Sequence, residues 1–221
     1  MSKENFLTSS LGKKVVMSLT GLFLISFLVV HVSINALIFL NDGGDIYNKA
    51  AHFMSHNIVI RILEVGLFLG LLLHIIQAYV ATYQNNKARP IKYEMTNGNA
   101  NSRWYSRSMA ILGTLLLMFL VVHLGNFWVP TKQALWAHEE HNGFESMKAV
   151  FSQWYFVAIY LLGVISLCYH LLHGFSAAFQ SLGLTHRKYT PVIKFLGAAF
   201  SIGVSLAFAI MPIAMFMEWI K

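Results

Sequence analysis

Four histidines lie deep inside long uncharged stretches of the sequence, where an imidazole is costly unless it binds something. They are His31, His74, His123 and His170, and each belongs to a different stretch. A single intramembrane histidine can merely bridge two helices by a hydrogen bond, but four on successive segments favour a bound cofactor. Neutral imidazole is the commonest metal ligand among protein side chains. The elements that hold these side chains decide which of them can meet.

The uncharged stretches predict membrane-spanning helices. The chain has 221 residues, of which 57% are hydrophobic and 11% are charged, against about 25% charged in soluble domains. No Asp, Glu, Lys or Arg occurs in residues 15–40, 65–86, 108–131, 149–186 or 195–217. Each stretch meets or exceeds the ~20 residues that cross a bilayer as a helix, and runs this long satisfy their backbone groups in lipid as helices. We predict a single all-α domain over residues 1–221, with transmembrane helices at about 13–40, 58–86, 103–130, 149–182 and 192–219.

Three prolines bear on the helix boundaries. We expect Pro130 to end the third helix and Pro191 to lie in the first turn of the fifth, with Pro212 inside that helix. The connections between the helices are too short to hold a catalytic domain. Any substrate chemistry outside the membrane must therefore belong to a partner protein.

The charged residues predict the orientation of the chain. Its formal net charge is +7, which in a soluble protein would suggest nucleic acid, but here the positive charge gathers on one side of the membrane. Basic residues precede the first helix and fill the connections between the second and third and between the fourth and fifth helices, whereas most acidic residues lie on the other side. The positive-inside rule then places the N-terminus in the cytoplasm and the C-terminus outside.

The depths of the four histidines predict two pairs. His31 and His123 lie on helices that run outward, about 16 residues or roughly 24 Å from the cytoplasmic side. His74 and His170 lie on helices that run inward, which places them in the inner half of the membrane. We expect a bundle of the first four helices around two stacked ligands, the outer held by His31 and His123, the inner by His74 and His170.

Haem iron fits such pairs better than zinc. A structural zinc site needs four protein ligands, and neither level offers a cysteine or a carboxylate. Haem iron needs only two axial ligands, because the porphyrin supplies the others. Cys168 is the only cysteine, which excludes an iron–sulfur cluster and covalent haem attachment. Bis-histidine haem has no open position for substrate, so the predicted chemistry is one-electron transfer. Gly70, Ser166 and Gly174 could make room for a macrocycle or, equally, allow close helix packing.

The motifs around these histidines resemble a known family. They are "SSLGKKVVMSLTGLFL" near the amino terminus, "HVSIN", "LLLHIIQ", "VVHLGNFW" and "YHLLHGFSAAFQSLG". In this order they are similar to the five-helix, two-haem cytochrome b subunit of succinate:quinone oxidoreductases, meaning succinate dehydrogenase or quinol:fumarate reductase. The resemblance covers essentially the whole chain and implies His31, His74, His123 and His170 as axial ligands of two b haems. It favours His170 over the neighbouring His173, because the family places this ligand four residues before a glycine, here Gly174.

The resemblance also implies partners and a location. A flavoprotein subunit and an iron–sulfur subunit would bind at the cytoplasmic face of a bacterial inner membrane and interconvert succinate and fumarate. This chain would anchor them and carry electrons between the iron–sulfur subunit and a membrane quinone, expected to be menaquinone. The inner haem would face the iron–sulfur subunit, and the outer haem would face the quinone.

Glu64 and Arg61 are the candidates for the quinone site. Quinone chemistry couples electrons to protons, so a carboxylate near the outer haem would be useful. Glu64 is the only acid that lies within a predicted span, by about one turn, and Arg61 shares its helix face at i−3. An ordinary interfacial ion pair explains the two residues equally well. Some family members have a glutamate two residues before the fourth ligand; here Cys168 stands in that position, so a proton path through it is not assumed.

Two alternatives from other classes are left open by the sequence. A proton-coupled transporter could use intramembrane histidines as a relay, although relays need acids along the path, and the predicted spans hold almost none. The cytochrome b subunit of a hydrogenase or formate dehydrogenase would have similar ligands and a different partner, and the order of the motifs favours the succinate family over it.

Overall fold

A computed structural model of the chain describes residues 9–88 and 102–220. Within these ranges every regular element is helical and there is no strand. Five helices are long and apolar enough to cross a membrane, namely Leu11–Leu40, Ile58–Lys87, Met109–Ala137, Trp154–Ser181 and Thr190–Phe216. The prediction of five membrane spans is confirmed, and the chain is a multi-pass membrane protein. The basic residues Arg89 and Lys92 of the second connection lie outside the described residues.

The first two spans begin and end close to their predicted positions. Helix α1, Ser10–Asn35, is capped by the Ser9 hydroxyl, which accepts a hydrogen bond from the Gly12 amide at 3.1 Å, and continues as the 3₁₀ turn Ala36–Leu40. After the short helix α2, Asp45–His56, the second span is α3, Ile58–Lys87. The Asn57 side chain caps α3 by accepting from two of its first amides. Helix α2, which lies in the first connection, was not predicted.

The third span differs from the prediction of a helix over 103–130. A short helix α4, Trp104–Arg107, precedes it, and the span itself consists of α5, Met109–His123, the π-helical turn Leu124–Trp128 and α6, Val129–Ala137. The expectation that Pro130 ends this helix is wrong. Pro130 lies in the first turn of α6, directly after the π-helical turn, and the helical run Met109–Ala137 continues through it.

The fourth predicted helix, 149–182, is two helices. Helix α7, Gly143–Phe151, ends at Ser152, the backbone is extended at Gln153, and α8 spans Trp154–Ser181. The composition of the sequence does not reveal such a break, because the backbone dihedral angles change there while the stretch stays uncharged. The fifth span, α9, Thr190–Phe216, contains Pro191 in its first turn and Pro212 in its interior, as predicted.

Four of the long helices close a ring. Helix α1 packs against α3 and α8, and α5 packs against the same two helices from the other side. Helix α9 lies outside this ring, against α8 and α1. The observed packing agrees with the predicted bundle of the first four spans.

The core lies at one end of the bundle. We call this the acidic end, because the connections 41–57 and 138–153 lie there with Asp42, Asp45, Glu139, Glu140 and Glu145; the opposite end is the basic end. The buried residues of the acidic end come from α7, α8, α9, the 3₁₀ turn and the segment after α9: Ile38, Phe144, Met147, Phe151, Val157, Tyr160, Met211, Ala214, Met215 and Ile220. Helices α2 and α7 meet across this end, where the Asn48 side chain accepts a hydrogen bond from the Phe144 amide at 3.1 Å.

Candidate functional site

His31 of α1 and His123 at the end of α5 face each other across the ring of helices. Their ring centroids are 5.7 Å apart and the ring planes are nearly perpendicular. Phe27 stacks on His31 at 5.2 Å, one turn earlier on the same helix, and Phe119 stacks on His123 at 5.6 Å in the same way. The Asn35 amide nitrogen lies 3.4 Å from Nδ1 of His31. The pair therefore lies in an aromatic enclosure with one amide beside it.

His74 of α3 and His170 of α8 form a second pair, with ring centroids 6.3 Å apart. The ring that faces His74 belongs to His170, not to His173. The Oγ1 atom of Thr20 lies 3.1 Å from Nδ1 of His74. Two glycines face the rings: a Cβ at Gly21 would come 3.5 Å from the His74 ring, and a Cβ at Gly113 would come 3.9 Å from the His170 ring.

These contacts give the distance between the two pairs. His74 touches α1 at Thr20 and Gly21, ten or eleven residues before His31. His170 lies beside Gly113, ten residues before His123 on α5. At about 1.5 Å per residue, both helices place the levels roughly 15 Å apart along the bundle.

The residues present fit an iron held by two imidazoles at each level. With metal–nitrogen bonds of about 2 Å on both sides, the centroids of two such rings lie about 6 Å apart, close to the distances observed here. Nδ1 of His123 and Nδ1 of His170 are buried without a hydrogen-bond partner in the described residues, so these two rings are polar groups that the surrounding side chains do not fully satisfy. No group of three or more potential ligands among His, Cys, Asp and Glu occurs in the described part of the chain, so a zinc site is not supported.

The three small residues expected to make room for a macrocycle differ from one another. Gly174 faces open space, with no atom within 4 Å of a Cβ built there. A Cβ at Gly70 would lie 3.1 Å from the Phe23 ring, so this glycine allows α1 and α3 to pack closely. The buried Ser166 hydroxyl donates to the Leu112 carbonyl at 3.0 Å and ties α8 to α5.

Glu64 lies on α3 toward the acidic end and contacts the third span. Its Oε1 accepts from the Trp128 indole at 2.6 Å, and its Oε2 accepts from Lys132 Nζ at 2.7 Å. Arg61, the partner expected from the i−3 spacing, forms no ion pair with Glu64 in the part of the chain that the structure describes. The physical reason is burial: only 9% of the Lys132 side chain is exposed, and a buried ammonium needs a carboxylate, whereas Arg61 lies at the start of its helix and is half-buried.

Trp128 and Lys132 are the residues that the sequence reasoning missed. They are one turn apart, and Lys132 is the first charge after the third uncharged stretch. A lone lysine at the end of a span, at the same membrane depth as a lone glutamate on the preceding span, is the signal that could have revealed the pair.

Comparison with known proteins finds a relative that matches most of the chain. The chain is 29% identical over 167 residues to the succinate dehydrogenase cytochrome b558 subunit of Bacillus subtilis (strain 168), and the match covers 75% of this chain and 74% of the relative. No family model matches the chain, and no solved structure matches it. The chain is thus a distant homologue of that membrane subunit, and the resemblance inferred from its motifs is confirmed at that level.

Proposed function

We propose that this chain is the membrane-anchor cytochrome b subunit of a succinate:quinone oxidoreductase, which carries electrons between an iron–sulfur subunit and a membrane quinone by means of two b haems. The observation that carries this proposal is the pair of facing imidazoles at each of two levels, on four helices that close one ring. The distant relative, itself a succinate dehydrogenase cytochrome b558 subunit, supports the choice of enzyme.

The proposed ligands are His31 and His123 for the outer haem and His74 and His170 for the inner haem. When bound, each haem would supply a one-electron redox centre held by two imidazoles. The chain's own residues orient the imidazoles and exclude water. Phe27, Phe119 and Tyr160 enclose the outer pair, and Thr20 holds one ring of the inner pair by its Nδ1. Partners of this kind fix the ring orientation of a metal-bound histidine.

The orientation follows from the charges. Lys13, Lys14, Arg103, Arg107 and Lys188 lie at the basic end, and the positive-inside rule assigns that end to the cytoplasm of a bacterial inner membrane. The flavoprotein and iron–sulfur subunits would bind there, near the inner haem. The quinone, expected to be menaquinone, would bind near the outer haem at the acidic end, where Glu64 and Arg61 are the candidates for its hydrogen bonds and protons.

The test is the haem content of the purified complex. We expect two b haems per chain by pyridine haemochrome, and one haem fewer in each of the variants His31→Ala, His74→Ala, His123→Ala and His170→Ala. His173→Ala is the matched control, because it lies on α8 with His170, whereas the ring that faces His74 is that of His170; it should keep both haems. A wild-type protein without haem would refute the proposal.

The identity of the partners needs a second measurement. The complex purified through a tag on this chain should contain a flavoprotein and an iron–sulfur protein and should reduce a quinone with succinate. Co-purification of hydrogenase or formate dehydrogenase subunits instead would contradict the succinate assignment while leaving the haem ligands in place.

A further inference from the structure

Glu64 joins α3 to the third span at two points beyond His123. Its two carboxylate oxygens accept from two different residues, Trp128 at 2.6 Å and Lys132 at 2.7 Å. Hydrogen bonds with a charged partner are about twice as strong as neutral ones. The Trp128 indole also contacts the ring of Phe68, one turn after Glu64 on α3, with centroids 5.1 Å apart. We call Glu64, Trp128 and Lys132 the outer tie.

The outer tie begins at the last residue of the π-helical turn that follows His123. This turn, Leu124–Trp128, contains one more residue than an α-helical turn. In a continuous α-helix, at about 100° per residue, Lys132 would lie on the face opposite to His123. With the extra residue, the angle about the helix axis between Lys132 and His123 is about 80°, and the angle between Trp128 and His123 is about 40°. The π turn therefore turns both donors toward the face of the third span that carries the histidine.

A π turn is rare and occurs mostly as a single turn inside an α-helix, so contacts with neighbouring helices can decide where it forms. Support comes from two neighbouring helices: the outer tie on the side of α3, and the Asn126 amide, which donates to the Tyr160 hydroxyl of α8 at 3.3 Å. Tyr160 in turn contacts the His123 ring. Without the outer tie, the π turn could shift along the third span. His123, which directly precedes the turn, would then rotate about the helix axis.

We propose that Glu64 and Lys132 are positioning residues for His123, which fix the axial ligand of the outer haem through the π turn. This inference rests on the proposed haem ligands and adds a role for the acidic end that differs from proton transfer to quinone. A buried ion pair contributes little net stability but can specify one arrangement of the elements that it joins, which is the role proposed here.

The test compares the two haems of one complex. In Glu64→Gln and Lys132→Met proteins the low-spin electron paramagnetic resonance signal and the midpoint potential of the outer haem should shift, while those of the inner haem stay unchanged. The signals are assigned with the His31→Ala and His74→Ala proteins. The charge-swapped protein, Glu64→Lys with Lys132→Glu, rebuilds the ion pair and should return the outer haem toward the wild-type signal, which a direct proton-accepting role of Glu64 would not do.

Two further variants separate the positioning role from a general effect on helix packing or folding. Tyr79→Phe removes a different hydrogen bond between α3 and the third span, from Tyr79 to Thr114 at 2.9 Å, and should leave the outer haem unchanged. The double substitution Glu64→Leu with Lys132→Leu leaves no unpaired buried charge, so it should fold and still show the outer-haem shift.

Two results would overturn the positioning role. An unchanged signal and midpoint potential of the outer haem in the single and double variants, with two haems per chain retained, would refute it. An equal shift of the outer haem in Tyr79→Phe would also refute it. A haem-free wild-type complex would instead refute the proposed function, so the two failures are distinguishable.

Discussion

The Oγ1 atom of Thr20 in α1 lies 3.1 Å from Nδ1 of His74 in α3, and this contact bears on which nitrogen of the histidine is free. The Thr20 hydroxyl donates to the Val16 carbonyl at 2.9 Å, so its oxygen is left to accept from the Nδ1 hydrogen of His74. Nε2 then keeps its lone pair for a metal. Hydrogen bonding of one ring nitrogen commonly selects the tautomer of a histidine ligand in this way.

Thr20→Val should therefore weaken inner haem binding. Loss of a hydrogen bond to a metal-bound histidine costs about 10–100-fold in affinity, and valine keeps the size of threonine without its hydroxyl. The measurement is the fraction of inner haem that remains when the detergent-solubilised complex is challenged with a haem-binding apoprotein. Thr82→Val is the control, since the Thr82 hydroxyl donates to the Ala78 carbonyl of its own helix. Equal haem loss in both variants would show that the contact with His74 has no special role.

Gly163→Ala should disturb the outer haem through Phe119. A Cβ at Gly163 of α8 would lie 2.4 Å from the Phe119 ring, which stacks on His123. The ring must move, and overpacking of this kind costs about 1–3 kcal/mol. We expect a lower apparent melting temperature and an altered outer-haem spectrum with the inner haem intact. Gly203→Ala, which meets no atom within 4 Å, should match the wild type; an unaltered spectrum in Gly163→Ala would mean that Phe119 does not restrain His123.

The number of spans and the pairing of the histidines could be predicted, because both depend on properties that can be read directly from the sequence. Runs without charge fix the number of spans, and the rise per residue fixes the depth of each histidine. His31 faces His123, and His74 faces His170, as those depths imply. Their role as haem ligands stays a prediction.

The acidic end was predicted less well, because its structure depends on contacts between distant residues. The π turn after His123 was not predicted, although Pro130, which has no backbone N–H to donate, follows it by two residues. The i−3 spacing pointed to Arg61 because it considers only one helix, whereas the partner comes from another. The break at Gln153 and the helix α2 were missed for a similar reason: both are stabilised by packing at the acidic end, where Phe144 is 1% exposed.

Ionisation of Tyr47 in α2 should lower the stability of the acidic end at high pH. Burial raises the pKa of Tyr47 to about 12 from its usual value of 10.0. The unfolded chain ionises this phenol near pH 10 but the folded chain does not, so the stabilising contribution is complete below pH 10 and is lost as the pH rises to 12. The slope for one such group is about 1.4 kcal/mol per pH unit. Melting of the wild type and of Tyr47→Phe between pH 9 and 12 measures it. Identical pH profiles for the two proteins would contradict the assignment.

Gly44→Ala should destabilise the chain more than Gly43→Ala, although the two glycines are adjacent and both have positive φ angles, 81° and 71°. At Gly43 a methyl group meets no atom within 4 Å, whereas at Gly44 it would lie 2.2 Å from the Phe144 ring. Both variants bear the backbone strain, about 1 kcal/mol or more, and only Gly44→Ala must also displace a fully buried ring, at a further cost of about 1–3 kcal/mol. Thermal unfolding of the two proteins in one detergent gives the difference in stability. Equal melting temperatures would show that the close approach of α2 to α7 is not required.

The same substitution should also affect the outer haem. Because Phe144 anchors α7 over the end of the ring of helices that holds His31 and His123, Gly44→Ala should loosen the outer haem, whereas Gly43→Ala should not.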